Sequence, residues 1–113
     1  MHEVGLMQDT LDIVFDRAYK ADASLIRTIR LRVGEDSGVA PSSLQFAFSA
    51  LVQDTIAQDA TLELQSVPVS CYCHACSLEF APGDIFYECP ACHKLSTDIR
   101  SGREFELVSV EVD

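Results

Sequence analysis

Apolar residues recur through the first twenty positions at helical spacing. Met7, Leu11, Val14, Phe15 and Ala18 fall on one side, with Asp9, Asp12, Asp16, Arg17 and Lys20 on the other. This predicts one amphipathic helix over residues 6–21. The period shortens to two in SLIRTIRLRV, where Ile29, Leu31 and Val33 alternate with Thr28, Arg30 and Arg32, the pattern of a half-buried strand that GEDSG ends. In VAPSSLQFAFSALVQDTIAQ, Pro41 suits a helix's first turn and precedes Leu44, Phe48, Leu51, Val52 and Thr55 at three-and-four spacing, so a second helix is expected there. ATLELQSVPV alternates again, predicting a second strand that is reached through a helical crossover and therefore lies parallel to the first; Pro68 ends it or places it at an edge.

The last stretch, REFELVSVEV, is β-branched and alternating, with a phase slip near Leu107 and Val108 that marks a candidate bulge. It predicts a third strand whose Glu104, Glu106 and Glu111 could face the arginines of the first. Between the second and third strands lies a cysteine-rich excursion, with LSTDIRSG as its return linker. The expected fold is α/β (α+β), a small mixed three-stranded sheet with two helices plus an inserted four-cysteine zinc-ribbon-like module. Residues 1–69 and 102–113 form the α/β domain and residues 70–101 the insertion.

Composition narrows the function classes. No apolar run approaches the ~20 residues of a membrane span, and three aspartates interrupt what would be the apolar core of a signal peptide, so a soluble, cytoplasmic protein is expected. Eighteen acidic against eight basic residues leave a formal charge of −10, which repels phosphate backbones and anionic lipid. Partners are expected to be proteins or cations, not nucleic acid or membrane.

All five cysteines fall within residues 71–92, and crowding of an odd number favours metal thiolate over disulfide in a reducing compartment. Cys73 and Cys76 form one C-x2-C pair and Cys89 and Cys92 another, twelve residues apart. Each pair turns its backbone so that two sulfurs meet one ion, and four thiolates close a tetrahedron around Zn(II). The segment's few apolar anchors, Leu78, Phe80, Ile85, Phe86 and Tyr87, would struggle to order it, and metal binding supplies the missing free energy. Redox or buried thiols are the other reading of these pairs. A saturated four-cysteine site has no open position for water and argues for a structural ion rather than catalysis, so no enzyme is expected.

Cys71 reads as an ordinary strand-end residue, with a spare ligand as the alternative. His74 and His93 each follow a ligand cysteine, positions that suit hydrogen bonding near sulfur better than replacement of a thiolate. Zinc ribbons commonly bind nucleic acid. Here Lys94 and Arg100 face Glu79, Asp84, Glu88 and Asp98 within the module, so no basic groove is available.

The chain starts MHEV. A histidine in second position keeps the initiator methionine, so the free amine belongs to Met1. That amine, the His2 backbone nitrogen and the His2 imidazole can form two fused chelate rings on a divalent ion. Glu3 can add a fourth ligand through its carboxylate or backbone nitrogen, a tetragonal set suited to Ni(II) or Cu(II). A solvated chain start, with Glu3 favoured by a helix dipole, explains the same residues.

MHE before an amphipathic helix, LRVGEDSGVAPSSLQFAF, TLELQSVPV, the C-x2-C pair followed by phenylalanine, CPAC, and the closing ELVSVEV together resemble the HypA family of hydrogenase-maturation nickel metallochaperones from end to end. The resemblance implies a nickel-binding α/β domain and a zinc domain. Ni(II) would be held transiently and delivered to the large subunit of [NiFe]-hydrogenase, or its maturation complex, with a HypB-like GTPase as partner. Carried over residue by residue, His2 is the essential nickel ligand, Glu3 its neighbour and Met1 the amine donor. Cys73, Cys76, Cys89 and Cys92 hold structural Zn(II). A zinc-ribbon protein-interaction adaptor without a labile metal is the alternative. Linkers flanking the module permit a homodimer made by exchanging a strand.

Overall fold

The computed structural model describes residues 2–113, and the chain divides into two compact units. Of the described residues, the first comprises 2–32, 39–65 and 106–113; the second takes 33–38 and 66–105.

In the first unit, α1 (His2–Lys20) begins earlier than the apolar periodicity, and buries Met7, Leu11, Val14 and Ala18 as that periodicity requires. Glu3 in its first turn favours the early start, because a carboxylate offsets the positive end of the helix dipole. At the other end Asp22 adopts φ 55, Ala23 N–H reaches back to Ala18 O at 3.0 Å and Asp22 N–H to Tyr19 O at 3.0 Å. This is the left-handed C-terminal cap in which an aspartate stands where glycine is usual.

α2 (Pro41–Leu51) opens with proline in its first turn and buries Leu44, Ala47 and Phe48. It stops one turn short of the expected end at Thr55. Local side-chain bonds compete with the helix there: Thr55 Oγ1 donates to Val52 O at 2.7 Å and accepts Ala57 N–H at 3.1 Å, while Asp54, at φ 61, donates its N–H to Gln58 Oε1 at 2.8 Å. Val52 remains buried just beyond the helix.

β1 (Ile26–Gly34) is the central strand of a sheet in which β2 (Thr61–Val67) and β6 (Phe105–Val112) are its neighbours. Glu35 N–H to Val67 O, 2.9 Å, joins the ends of β1 and β2, which run parallel; Asp113 N–H to Leu25 O, 2.8 Å, and Gly34 N–H to Glu104 O, 2.7 Å, set β6 antiparallel. Ile29, Leu31 and Val33 are buried as the alternation predicts, and Ile26 joins them. The alternation in β6 slips between Ser109 and Val110, two residues after the expected place.

Arg30 donates to Glu63 at 2.6 Å and to Glu111 at 2.7 Å, while Arg32 and Glu106 lie 3.5 Å apart. These solvent-screened cross-strand pairs fix the neighbours of β1 more than they add to stability. Glu104, expected on the same stripe, accepts the Gly102 N–H at 2.6 Å.

The second unit is built on a three-stranded antiparallel sheet in the order β4-β3-β5, formed by β3 (Ser70–Cys73), β4 (Leu78–Phe80) and β5 (Asp98–Ser101). Cys71 pairs with Phe80 on one side and Ile99 on the other. The stretch DIRS, expected as linker, is thus a strand, and its polar composition is the reason alternation did not reveal it. The core is small: Cys71, Cys73, Phe80 and Cys89, with Val69, Tyr87, Cys92 and Ile99 packed against them. Of the expected apolar anchors only Phe80 and Tyr87 join it, whereas Leu78, Ile85 and Phe86 are exposed.

Residues 33–38 close onto this unit by backbone approach. A Cβ on Gly34 would lie 2.1 Å from Gly102 C and O, and one on Gly102, at φ 110, would lie 2.7 Å from a Val69 methyl group. Asp36 N–H donates to Gly102 O at 2.6 Å.

The Asp36 carboxylate accepts a hydrogen bond from the Tyr87 hydroxyl and lies 3.3 Å from Arg103 Nε; these partners, in that order, hold it below the usual carboxylate range. Conversely, the bond to Asp36, then burial, raises the Tyr87 phenol. The pair therefore stabilises the fold above about pH 4, losing its effect as pH falls through the depressed Asp36 value. It stabilises below about pH 10, losing its effect as pH rises through the raised Tyr87 value. In an ultraviolet titration of phenolate absorbance, the component removed by Tyr87→Phe should ionise above the free-tyrosine range. Asp36→Asn should bring it back down; an unchanged midpoint in that variant would show the bond to be unimportant.

Candidate metal centre

β3 delivers Cys73 at its last position, and the turn to β4 carries Cys76, with Ser77 at φ 50 completing the reversal. The second pair sits in a similarly tight turn. Cys89 N–H donates to Lys94 O at 2.9 Å, His93 N–H returns to Cys89 O at 2.9 Å, and His93 takes φ 64. These reversals aim the four side chains inward: the Sγ atoms of Cys73, Cys76, Cys89 and Cys92 all lie within 4.8 Å of one another, and those of Cys73 and Cys92 are 3.6 Å apart.

A tetrahedral ion with thiolate bonds of about 2.3 Å needs sulfurs roughly 3.8 Å apart, so the set fits one such ion after small adjustments. The thiols of the cluster compete for their protons. Cys76 is pushed up to about 12, first by its hydrogen bond with Cys92, then by desolvation and by bonds with Cys73 and Cys89. Cys89 is brought down to about 7, chiefly by the Cys92 backbone N–H, against desolvation and helped by Ala91 N–H. Four neighbouring sulfurs cannot all ionise unaided; a divalent ion removes that conflict.

The remaining candidates fall elsewhere. Cys71 is fully buried, is absent from the four-sulfur group, and has its thiol raised by burial. His74 Nε2 lies 2.7 Å from Asp98 Oδ2, and His93 Nδ1 lies 3.4 Å from Glu88 Oε1, both imidazoles being exposed. Asp98 is shared with Arg100, at 2.8 and 2.9 Å, and the Arg100 guanidinium stacks 4.4 Å from the Tyr72 ring centre. This Tyr72–His74–Asp98–Arg100 group on β3, its following turn and β5 had no signal in the sequence, because its members meet only through strand pairing.

His2 is exposed at the start of α1, and Glu3 is half-buried, its Oε2 accepting the Ala40 N–H at 3.4 Å just ahead of α2. Met1 lies outside the described residues. Imidazole and carboxylate therefore stand at one helix end in the first unit, while the four sulfurs belong to the second.

The family model described as "Hydrogenase/urease nickel incorporation, metallochaperone, hypA" matches residues 1–112. A hydrogenase maturation factor HypA from Picosynechococcus sp. is 46% identical over 112 residues, 99% of each chain. One from Albidiferax ferrireducens is 32% identical over 113 residues, covering all of both chains. Among solved structures, a solution structure of a HypA protein aligns with a TM-score of 0.73 at 27% identity, covering 99% of this chain and 96% of the other. That of the Ni metallochaperone HypA from Helicobacter pylori aligns with a TM-score of 0.66 at 25% identity, covering 97% and 96%. On a match of this length and depth, with four sulfurs gathered for one ion, the chain belongs to the HypA family of hydrogenase and urease nickel-incorporation metallochaperones.

Proposed function

We propose that this chain carries Ni(II) for the maturation of [NiFe]-hydrogenase and holds a second ion, Zn(II), for architecture alone. The observation that carries the reading is the contrast between the two donor sets. Four sulfurs, two of them buried, converge on one point and leave no position open; the histidine of the other set is exposed at the chain's start. A closed thiolate cage suits permanent zinc. A nitrogen-and-oxygen set with its imidazole exposed suits Ni(II) and lets it go again, which a carrier requires.

In this reading Met1 contributes its amine, His2 its backbone nitrogen and imidazole, and Glu3 a carboxylate or backbone nitrogen. Residues 1–69 and 102–113 serve nickel, and residues 70–101 serve zinc. His74 and His93 hydrogen-bond beside the sulfurs without ligating. The partners are a HypB-like GTPase and the hydrogenase large subunit or its maturation complex, met in the cytoplasm. No catalytic role is assigned to any residue. Among the described residues no helix is long and apolar enough to cross a membrane, and a charge of −10 opposes binding to nucleic acid.

The alternative, an interaction adaptor without labile metal, draws support from exposed Ile85 and Phe86 in the second unit. Calorimetric Ni(II) titration of zinc-loaded protein separates the two. The chain with a free Met1 amine should take up one equivalent, and the same chain extended by a few residues should lose that uptake. Equal uptake by both would move nickel away from the terminus; no uptake by either would leave the adaptor.

A further inference from the structure

The second unit also contains a cleft of about 390 Å³ whose wall mixes apolar and acidic groups. Val69, Pro82 and Ile85 supply the apolar surface, and Glu35, Asp36 and Asp84 supply the acids. No lysine or arginine lines it. Ile85 is 85% exposed and its neighbour Phe86 62%, both outside the small core of this unit. Two large apolar side chains left in water next to an acidic cleft are a feature that a partner would cover.

The three acids differ in how far they are already engaged. Asp36 is balanced by Tyr87 and Arg103, and Asp84 Oδ1 accepts the Phe86 N–H at 2.7 Å. Glu35 is exposed and makes no side-chain bond or ion pair among the described residues. Its uncompensated charge, beside that of Asp84, repels anions and attracts cations.

We infer that this cleft docks an extended segment of a partner protein in which an apolar side chain is flanked by lysine or arginine. The apolar residue covers Ile85 and Val69, and the basic residues meet Glu35 and Asp84. Charge disfavours the simplest rival, a second copy of this chain, since a surface drawn from eighteen acidic and eight basic residues presents mostly like charge to this rim. A bare inorganic cation would leave Ile85 uncovered. The inference is independent of nickel, because it holds for a metal carrier and an adaptor alike.

The test uses zinc-loaded, isotope-labelled full-length protein and an acetylated, amidated pentapeptide of alternating lysine and leucine. Amide shifts on titration should concentrate at Glu35, Val69, Asp84, Ile85 and Tyr87, and the dissociation constant should rise steeply with salt. Glu35→Lys should weaken binding about tenfold, as reversal of a rim charge does where attraction steers the complex. Ile85→Ser should weaken it by a similar factor, and retained one-to-one zinc will show that each variant is folded. The peptide with glutamate in place of lysine should cause no shifts. Shifts spread equally along the aspartates of α1, or an affinity indifferent to both substitutions, would reduce the effect to general attraction and overturn the proposal. Concentration-dependent loss of the cleft signals without peptide would place a second copy there and overturn it too.

Discussion

Replacing Cys89 with alanine should abolish zinc binding and unfold the second unit while the first keeps its structure. Cys89 is fully buried and stands both in the four-sulfur set and among the four buried residues of the unit's core. Two of the other three buried residues are also cysteines, so Phe80 is the only large apolar side chain in that buried set. On the proposed zinc reading, a unit with so little apolar burial would depend on its ion, since structural zinc contributes about 10–16 kcal/mol in small domains that fold only when loaded. The loss therefore exceeds anything an ordinary core truncation would cause, about 3–5 kcal/mol at most. Metal analysis should fall from one zinc per chain to none, and the amide signals of β3, β4 and β5 should collapse toward random-coil positions. Those of α1 and α2 should stay. Removing zinc from the wild-type chain with a strong chelator should reproduce the pattern. A Cys89→Ala protein with one zinc and dispersed β3–β5 signals would refute the assignment.

His2→Ala should weaken Ni(II) binding by about a hundredfold or more, since even groups that only support a ligand alter metal affinity ten- to hundredfold. In the proposed site, loss of the imidazole would open one of the two chelate rings and leave the amine and backbone nitrogen with an incomplete set. Because His2 is exposed, the change should cost little stability and leave zinc at one per chain. Hydrogenase maturation in cells should fall with nickel affinity, whereas total protein should not. A variant that matures hydrogenase normally at limiting nickel would show that the cargo is held elsewhere.

Much of this was legible in the chain because the relevant patterns are local. Period two exposes β1 and β2, three-and-four spacing exposes α1 and most of α2, and paired C-x2-C spacing singles out the four cysteines whose sulfurs gather. Features that depend on meetings between distant residues were not legible. β5 is polar and short, and it is a strand only because Cys71 and Tyr72 supply its partner. Asp36 sits far along the chain from Tyr87 and Arg103, so nothing in its neighbourhood announced the bond. The end of α2 was missed for another reason: Thr55 and Val52 keep helical spacing, yet the Thr55 hydroxyl binds the backbone that the helix would have used. Ile85 and Phe86 misled in the opposite direction. Apolar identity suggested core, and the unit had already filled its interior with cysteine.

Gly34, Val69 and Gly102 touch through or close to their main chains. The polypeptide enters the sulfur-bearing ribbon at one of these residues and leaves at another, so both ends of that detour are pinned at a single knot of backbone. Val69 and Gly102, thirty-three positions apart in the chain, are therefore held together by main-chain approach as well as by the pairing of β3 with β5. A side chain at either glycine would meet main chain or Val69 at once, so one substitution would disturb both ends of the detour together.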